Sequence, residues 1–100
     1  MNKDIDLLQY SDPEIVFKRA REIFGKYVNI QISTRPKKKY MIFDPVTHKY
    51  VHFGQMGYQD FTRHKNPIRR HLYLKRASSI KGNWKDNPYS PNNLSINLLW

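Results

Sequence analysis

The sequence predicts an α+β fold: an N-terminal helix packed on a three-stranded antiparallel meander, followed by a helical C-terminal half. Three observations predict it. Apolar residues recur at helical spacing behind a capping signal over residues 12–24, and then at a period of two over 27–53. The turns between the alternating runs are too short for anything but antiparallel neighbours. Two further cap signals, Asn66-Pro67 and Ser90-Pro91, return the chain to helix. With 100 residues the chain fits one domain, 1–100. Within it, 1–57 form a helix-plus-meander scaffold, and 58–100 a basic helical segment and an apolar C-terminal helix.

Ser11-Asp12-Pro13-Glu14 opens the first helix: Ser11 is placed to cap, Pro13 fits the first turn and Glu14 completes a capping box. Val16, Ala20, Ile23 and Phe24 form its core-facing stripe, and Gly25 stops it. Tyr27 to Thr34 is the first strand, with Val28, Ile30 and Ile32 on one face. Arg35 to Lys39 is a turn, Tyr40 to Phe43 the second strand, Asp44 to Lys49 a turn, and Tyr50 to Phe53 the third strand, ended by Gly54. Tyr58 to Arg63 reads as a short helical turn and Pro67 to Ala77 as a helix with Ile68 and Leu72 toward the core. Ser78 to Pro88 is irregular, anchored by Ile80 and Trp84, and Asn92 to Trp100 is a short apolar helix.

Composition removes several function classes. The absence of cysteine excludes a disulfide framework, a zinc finger and a thiol nucleophile. No apolar run approaches the roughly 18 residues that span a bilayer, and the start MNKDIDLLQY lacks the basic and apolar stretches of a signal peptide. The expectation is a soluble intracellular domain. With 14% aromatic residues the chain has the apolar rings to fold despite a net charge of +10. That charge is segregated. Residues 1–34 hold five bases and five acids, and 87–100 hold neither. Residues 35–86 hold thirteen bases against three acids (Asp44, Asp60, Asp86), which is the whole +10. Such a field attracts polyanions.

In the helix from Pro67, Arg69, Tyr73 and Arg76 share a face at i, i+4, i+7, with Arg70 beside them. Guanidinium groups grip phosphate oxygens in a fork, and a tyrosine ring between them suits a sugar or base. Arg63 and Lys65 extend the footprint. The tip Arg35-Pro36-Lys37-Lys38-Lys39 fits a phosphate backbone, a nuclear localisation signal, and equally a charged turn that protects a sheet edge. His48, His52, His64 and His71 lack ligand spacing, so no metal and no cofactor is expected. Asp60 with His64 is a lone i, i+4 pair, thin support for a small nuclease. Leu94, Leu98, Leu99 and Trp100 make an apolar end that packs either within the domain or on a partner.

The runs Phe53-Gly54, Gly57-Tyr58-Gln59-Asp60-Phe61-Thr62-Arg63-His64-Lys65 and Arg69 to Ala77, with Gly82-Asn83-Trp84 and Tyr89 through Trp100, resemble a motif of a family of small basic proteins of nucleocytoplasmic large DNA viruses. The resemblance covers residues 51–100. It implies a viral origin, with a place in the virion or in the cytoplasm or nucleus of the infected cell, and it brings no catalytic residue. Two roles follow from it: coating a packaged genome, or serving as a minor capsid component. The combined expectation is a non-enzymatic, sequence-tolerant nucleic-acid-binding module, for DNA before RNA. Its contacts are Arg63, Lys65, Arg69, Arg70, Tyr73 and Arg76, joined by Arg35, Lys37, Lys38 and Lys39. The alternative is a minor capsid or structural virion protein that uses its basic face for acidic capsid protein or membrane headgroups, and Leu94, Leu98, Leu99 and Trp100 as an interface with capsid proteins or with a second copy.

Overall fold

The structure, a computed structural model, describes residues 3–100, so Met1 and Asn2 of the expected domain lie outside the described residues. A helix that sequence periodicity did not announce comes first: α1 (Lys3–Leu7). Five residues are too few to show a period, yet Asp4 and Asp6 suit its positive end and Leu7 is fully buried.

Helix α2 (Pro13–Phe24) has the expected bounds and stops at Gly25, whose φ of 101° favours glycine. Its cap is Asp12, not Ser11. The Asp12 carboxylate accepts from the Glu14 N–H at 3.1 Å. Ser11 is buried instead, and its hydroxyl accepts from the Tyr40 hydroxyl at 2.7 Å. The inward stripe also shifts. Val16 and Ala20 are buried, Phe17 and Phe24 pack beside them, and Ile23 is 49% exposed. Phe17 meets the Tyr40 ring edge-on at 5.9 Å, which turns the helix so that Ile23 falls on the flank.

The sheet is the predicted meander, in the order β1 (Ile30–Ile32), β2 (Lys38–Asp44), β3 (Lys49–Gln55), all antiparallel. Strand β1 is shorter than expected because both its ends belong to turns. The Val28 N–H bonds the Gly25 carbonyl at 3.1 Å, and the Ser33 hydroxyl accepts from the Arg35 N–H at 3.0 Å. Strand β2 is central and longer, with Ile42 opposite Ile30 on one side and Val51 on the other. It is covered on both faces, so Lys39, Tyr40, Met41 and Ile42 are all buried and no alternation of exposure survives. Gly54 does not end β3. It sits inside the strand at a φ of 77°, where a Cβ would lie 2.9 Å from Leu99 Cδ1 and 3.1 Å from Lys39 Cβ. Only glycine allows both neighbours to pack this closely.

Helices α3 (Phe61–His64) and α4 (Pro67–Ser78) follow, then a 3₁₀ turn at Trp84–Asp86. In α4 the sequence reading placed Ile68 and Leu72 toward the core, but they are 71% and 60% exposed. The helix docks through Arg70, Tyr73 and Ala77, about 100–180° around the axis from them. Ile80 is exposed too. It anchors the irregular segment by its carbonyl, which accepts from the Trp84 indole N–H at 2.7 Å.

Ser90 caps α5 (Pro91–Leu94) by accepting from the Asn93 N–H at 3.2 Å, and the chain continues as a wider π-type turn over Ser95–Leu99. Leu94, Leu98 and Leu99 are buried to 1% or less, among Leu7, Val16, Ala20, Tyr40, Ile42 and Phe53. These three leucines, the expected partner interface, are therefore core of the domain itself. A sheet this small leaves one face bare unless the chain end covers it, and each such leucine stabilises the fold by about 2 kcal/mol.

Candidate nucleic-acid interface

Asn66 opens α4 by accepting from the N–H groups of Ile68 (2.9 Å) and Arg69 (3.2 Å), with Pro67 in the first turn. This start fixes the phase of the helix and lines up Arg69, Tyr73 and Arg76 as the spacing predicted. They form one wall of a groove of about 810 Å³, with Lys38, Gln55 and Tyr58 contributed from the sheet and the chain after it, and Asn92, Leu99 and Trp100 from the chain end. No acidic side chain lines it among the described residues. Lys38 therefore joins the basic helix face, which links the 35–39 tip to α4.

The cations are positioned by aromatic rings. Arg76 lies over Tyr73 at 5.7 Å, and Tyr73 stacks on Trp100 with ring centroids 4.1 Å apart and planes 7° from parallel. Trp100 continues to His64 at 5.1 Å, His64 to Phe61 at 5.9 Å, and Arg70 covers Phe61 at 5.4 Å. Arg70 also donates from Nε to the main-chain oxygen of Trp100 at 2.7 Å. Arg69 is steadied by the Gln59 side-chain oxygen at 3.3 Å. The Tyr73 ring is thus engaged by Trp100 and Arg76, and the expected contact of this ring with a sugar or base gives way to a role in holding Arg76. Burial raises the Tyr73 hydroxyl above its ordinary value, opposed by its bond to Ser95, so it stays a neutral phenol. Trp100, expected at a partner interface, is a half-buried member of this column.

Lys39 departs most from expectation. It is 2% exposed, and its ammonium donates to the Tyr58 carbonyl (2.6 Å), the Tyr10 carbonyl (3.3 Å) and Asp60 Oδ2 (3.1 Å). The other Asp60 oxygen accepts from the Thr62 hydroxyl, which lies 3.3 Å from the Ser11 hydroxyl and accepts from the Asp12 N–H at 2.9 Å. Burial lowers the Lys39 pKa, and the Asp60 charge and hydrogen bond oppose that shift. Burial also pushes the Tyr40 hydroxyl far above its usual range. Ser11, Lys39, Tyr40, Asp60 and Thr62 form a sealed polar seam, so Lys39 is not a phosphate contact. The sequence carried no direct sign of it beyond Asp60 standing as a single acid against a long basic stretch.

The remaining predicted residues lie outside the groove. Arg63 and Lys65 are exposed around the end of α3, where Lys65 takes the left-handed cap conformation at φ 54°. Arg35 and Lys37 are exposed at the hairpin tip. His52 beside that tip bonds Ser33 at 2.6 Å, and its pKa is lowered by burial, then by Arg35, Lys3 and Lys38. His64 Nδ1 accepts from the Asn66 N–H at 2.9 Å, so the Asp60–His64 pair is divided between other partners. Its pKa is lowered by burial and then by Arg69. Among the described residues no three His, Asp or Glu side chains gather as metal ligands.

No curated protein and no solved structure matches the chain. One family model does, over residues 28–77, which takes in the meander, α3 and most of α4. It shares 51–77 with the segment that carried the viral resemblance and extends toward the N-terminus through β1 and β2. The matched half of the chain holds the sealed seam's Lys39 and Asp60 as well as the cationic wall of the groove, and on that match the chain belongs to a family of unknown function, DUF5754.

Proposed function

We propose that this chain is a non-enzymatic nucleic-acid-binding module, sequence-tolerant and directed at DNA, associated with the genome or virion of a large DNA virus. One observation carries the reading: Lys38, Arg69 and Arg76 converge on a groove free of acidic side chains. Two of the three acids of the basic stretch are engaged elsewhere, and the third, Asp86, does not line the groove. Asp60 is neutralised by Lys39, and Asp44 is buried with its carboxylate accepting from the Val46 N–H at 2.9 Å. Cations left without local partners are the sequence-independent term in nucleic-acid affinity, because each phosphate they neutralise releases counterions. The held guanidinium groups of Arg69 and Arg76 suit phosphate oxygens. Burial of Leu94, Leu98 and Leu99 leaves the capsid alternative only the basic face and the half-buried Trp100 for partner contacts, which favours the nucleic-acid reading.

An electrophoretic-mobility titration over a salt series tests the proposal. If the three groove cations neutralise about three phosphates, affinity falls roughly fortyfold between about 50 and 200 mM salt. No complex at the lower salt, or a complex indifferent to salt, refutes it.

A further inference from the structure

Resting on that reading, we infer that the groove takes an unpaired base of a single strand, with Tyr58 as the platform on which the base stacks. The Tyr58 ring is 67% exposed at the groove. The other two exposed tyrosines have partners: Lys26 lies over the Tyr27 ring at 5.0 Å, and the Tyr50 hydroxyl accepts from Asn29 at 2.8 Å. Among the described residues neither a ring nor a cation packs on Tyr58. Its main chain is nonetheless fixed, because the buried Lys39 ammonium holds its carbonyl at 2.6 Å. A free ring on an anchored backbone loses little further freedom when a base stacks on it.

The rest of the groove agrees in chemistry. Leu72 and Ile80, 60% and 51% exposed, give it apolar lining. Lys38, Arg69 and Arg76 supply cations around that lining for the phosphates on either side of the base. A volume of about 810 Å³ lies in the ~300–1,000 Å³ range of clefts that enclose a small organic molecule. A duplex keeps its bases stacked inside, so it meets the cations alone and leaves Tyr58, Leu72 and Ile80 in water. An unpaired nucleotide covers all of them, in the manner of single-strand binding by stacking platforms set in basic grooves.

Fluorescence anisotropy of the full chain with a labelled oligothymidylate of about 12 nucleotides, against a duplex of the same length, tests this. The single strand is expected to bind more tightly. Tyr58→Ala is expected to weaken the single strand about tenfold, as for loss of one base–aromatic stack, and to leave the duplex unchanged. Tyr58→Phe keeps the ring and is expected to keep the affinity. A duplex that binds as tightly as the strand, or a Tyr58→Ala variant that affects neither ligand or both equally, overturns the inference and leaves DNA binding intact. Failure of both ligands to bind at low salt overturns the DNA reading along with it.

Discussion

Lys38 and Lys39 are neighbours in one strand and have opposite fates. Lys38 lines the open groove with Arg69 and Arg76, whereas the Lys39 ammonium is sealed against Asp60 and two carbonyls. The same contrast divides the molecule into a closed polar seam, where a cation is structural, and an open cleft, where cations have no acid to meet. A count of basic residues merges the two. The difference lies in what surrounds each charge: a buried ammonium is held only by complete pairing, and an exposed one is free for a ligand.

The contrast is easiest to break at the seam. Lys39→Met strands the Asp60 carboxylate in the interior and is expected to cost about 3–5 kcal/mol in urea unfolding, against less than about 0.5 kcal/mol for Lys38→Met. Equal effects from the two would erase the distinction. Gly54→Ala comes next, because its Cβ must push on both Leu99 and the Lys39 stem at a positive φ. A loss of about 1–3 kcal/mol is expected, read from the same denaturation curves. On the open side, Arg69→Ala with Arg76→Ala is expected to lower the slope of log affinity against log salt by about two, with the unfolding midpoint nearly unchanged.

Between the two regions lies His64. Its folded pKa is lowered by burial and then by Arg69, so the unfolded chain binds the extra proton. Stability is complete above the ordinary histidine value near 6.5 and declines as pH falls below it. His52, lowered for similar reasons, adds to the same decline. Protonation of His64 also removes the acceptor that holds the Asn66 N–H. Melting temperatures followed from about pH 7.5 downward should fall past 6.5, and His64→Phe should flatten part of that fall. The smallest expected effect is Ile68→Ser on the outer face of α4, within about 0.5 kcal/mol.

What the sequence made legible was local. Ser11-Asp12-Pro13-Glu14, with its cap one residue later than Ser11, Asn66-Pro67 and Ser90-Pro91 marked three helix starts, and the period-two run marked the meander and its order. What it hid was long-range. Ser11 meets Thr62 across 51 positions and Lys39 meets Asp60 across 21, and no spacing rule joins such pairs. Ile68 and Leu72 looked like core because they follow a helical period, but the face that docks was decided by Trp100 at the far end of the chain. Within the candidate site, Arg69, Tyr73 and Arg76 were readable from one helix. Tyr58, Gln55 and Asn92 were not, because three separate segments bring them together.

Ala77 is the one fully buried residue of α4, and this sets how the groove wall moves. The sheet and its leucine-covered face hold most of the apolar contacts. Helix α4 rests mainly on the Tyr73–Trp100 stack, the Arg70 bond to Trp100 and the Asn92 bond to the Ala77 carbonyl at 3.1 Å. In hydrogen-exchange terms α4 is a weakly protected unit beside a well-protected one, so its amides should exchange through local opening while those of β2 wait for global unfolding. The cationic wall is thus expected to open locally before the scaffold that carries it unfolds.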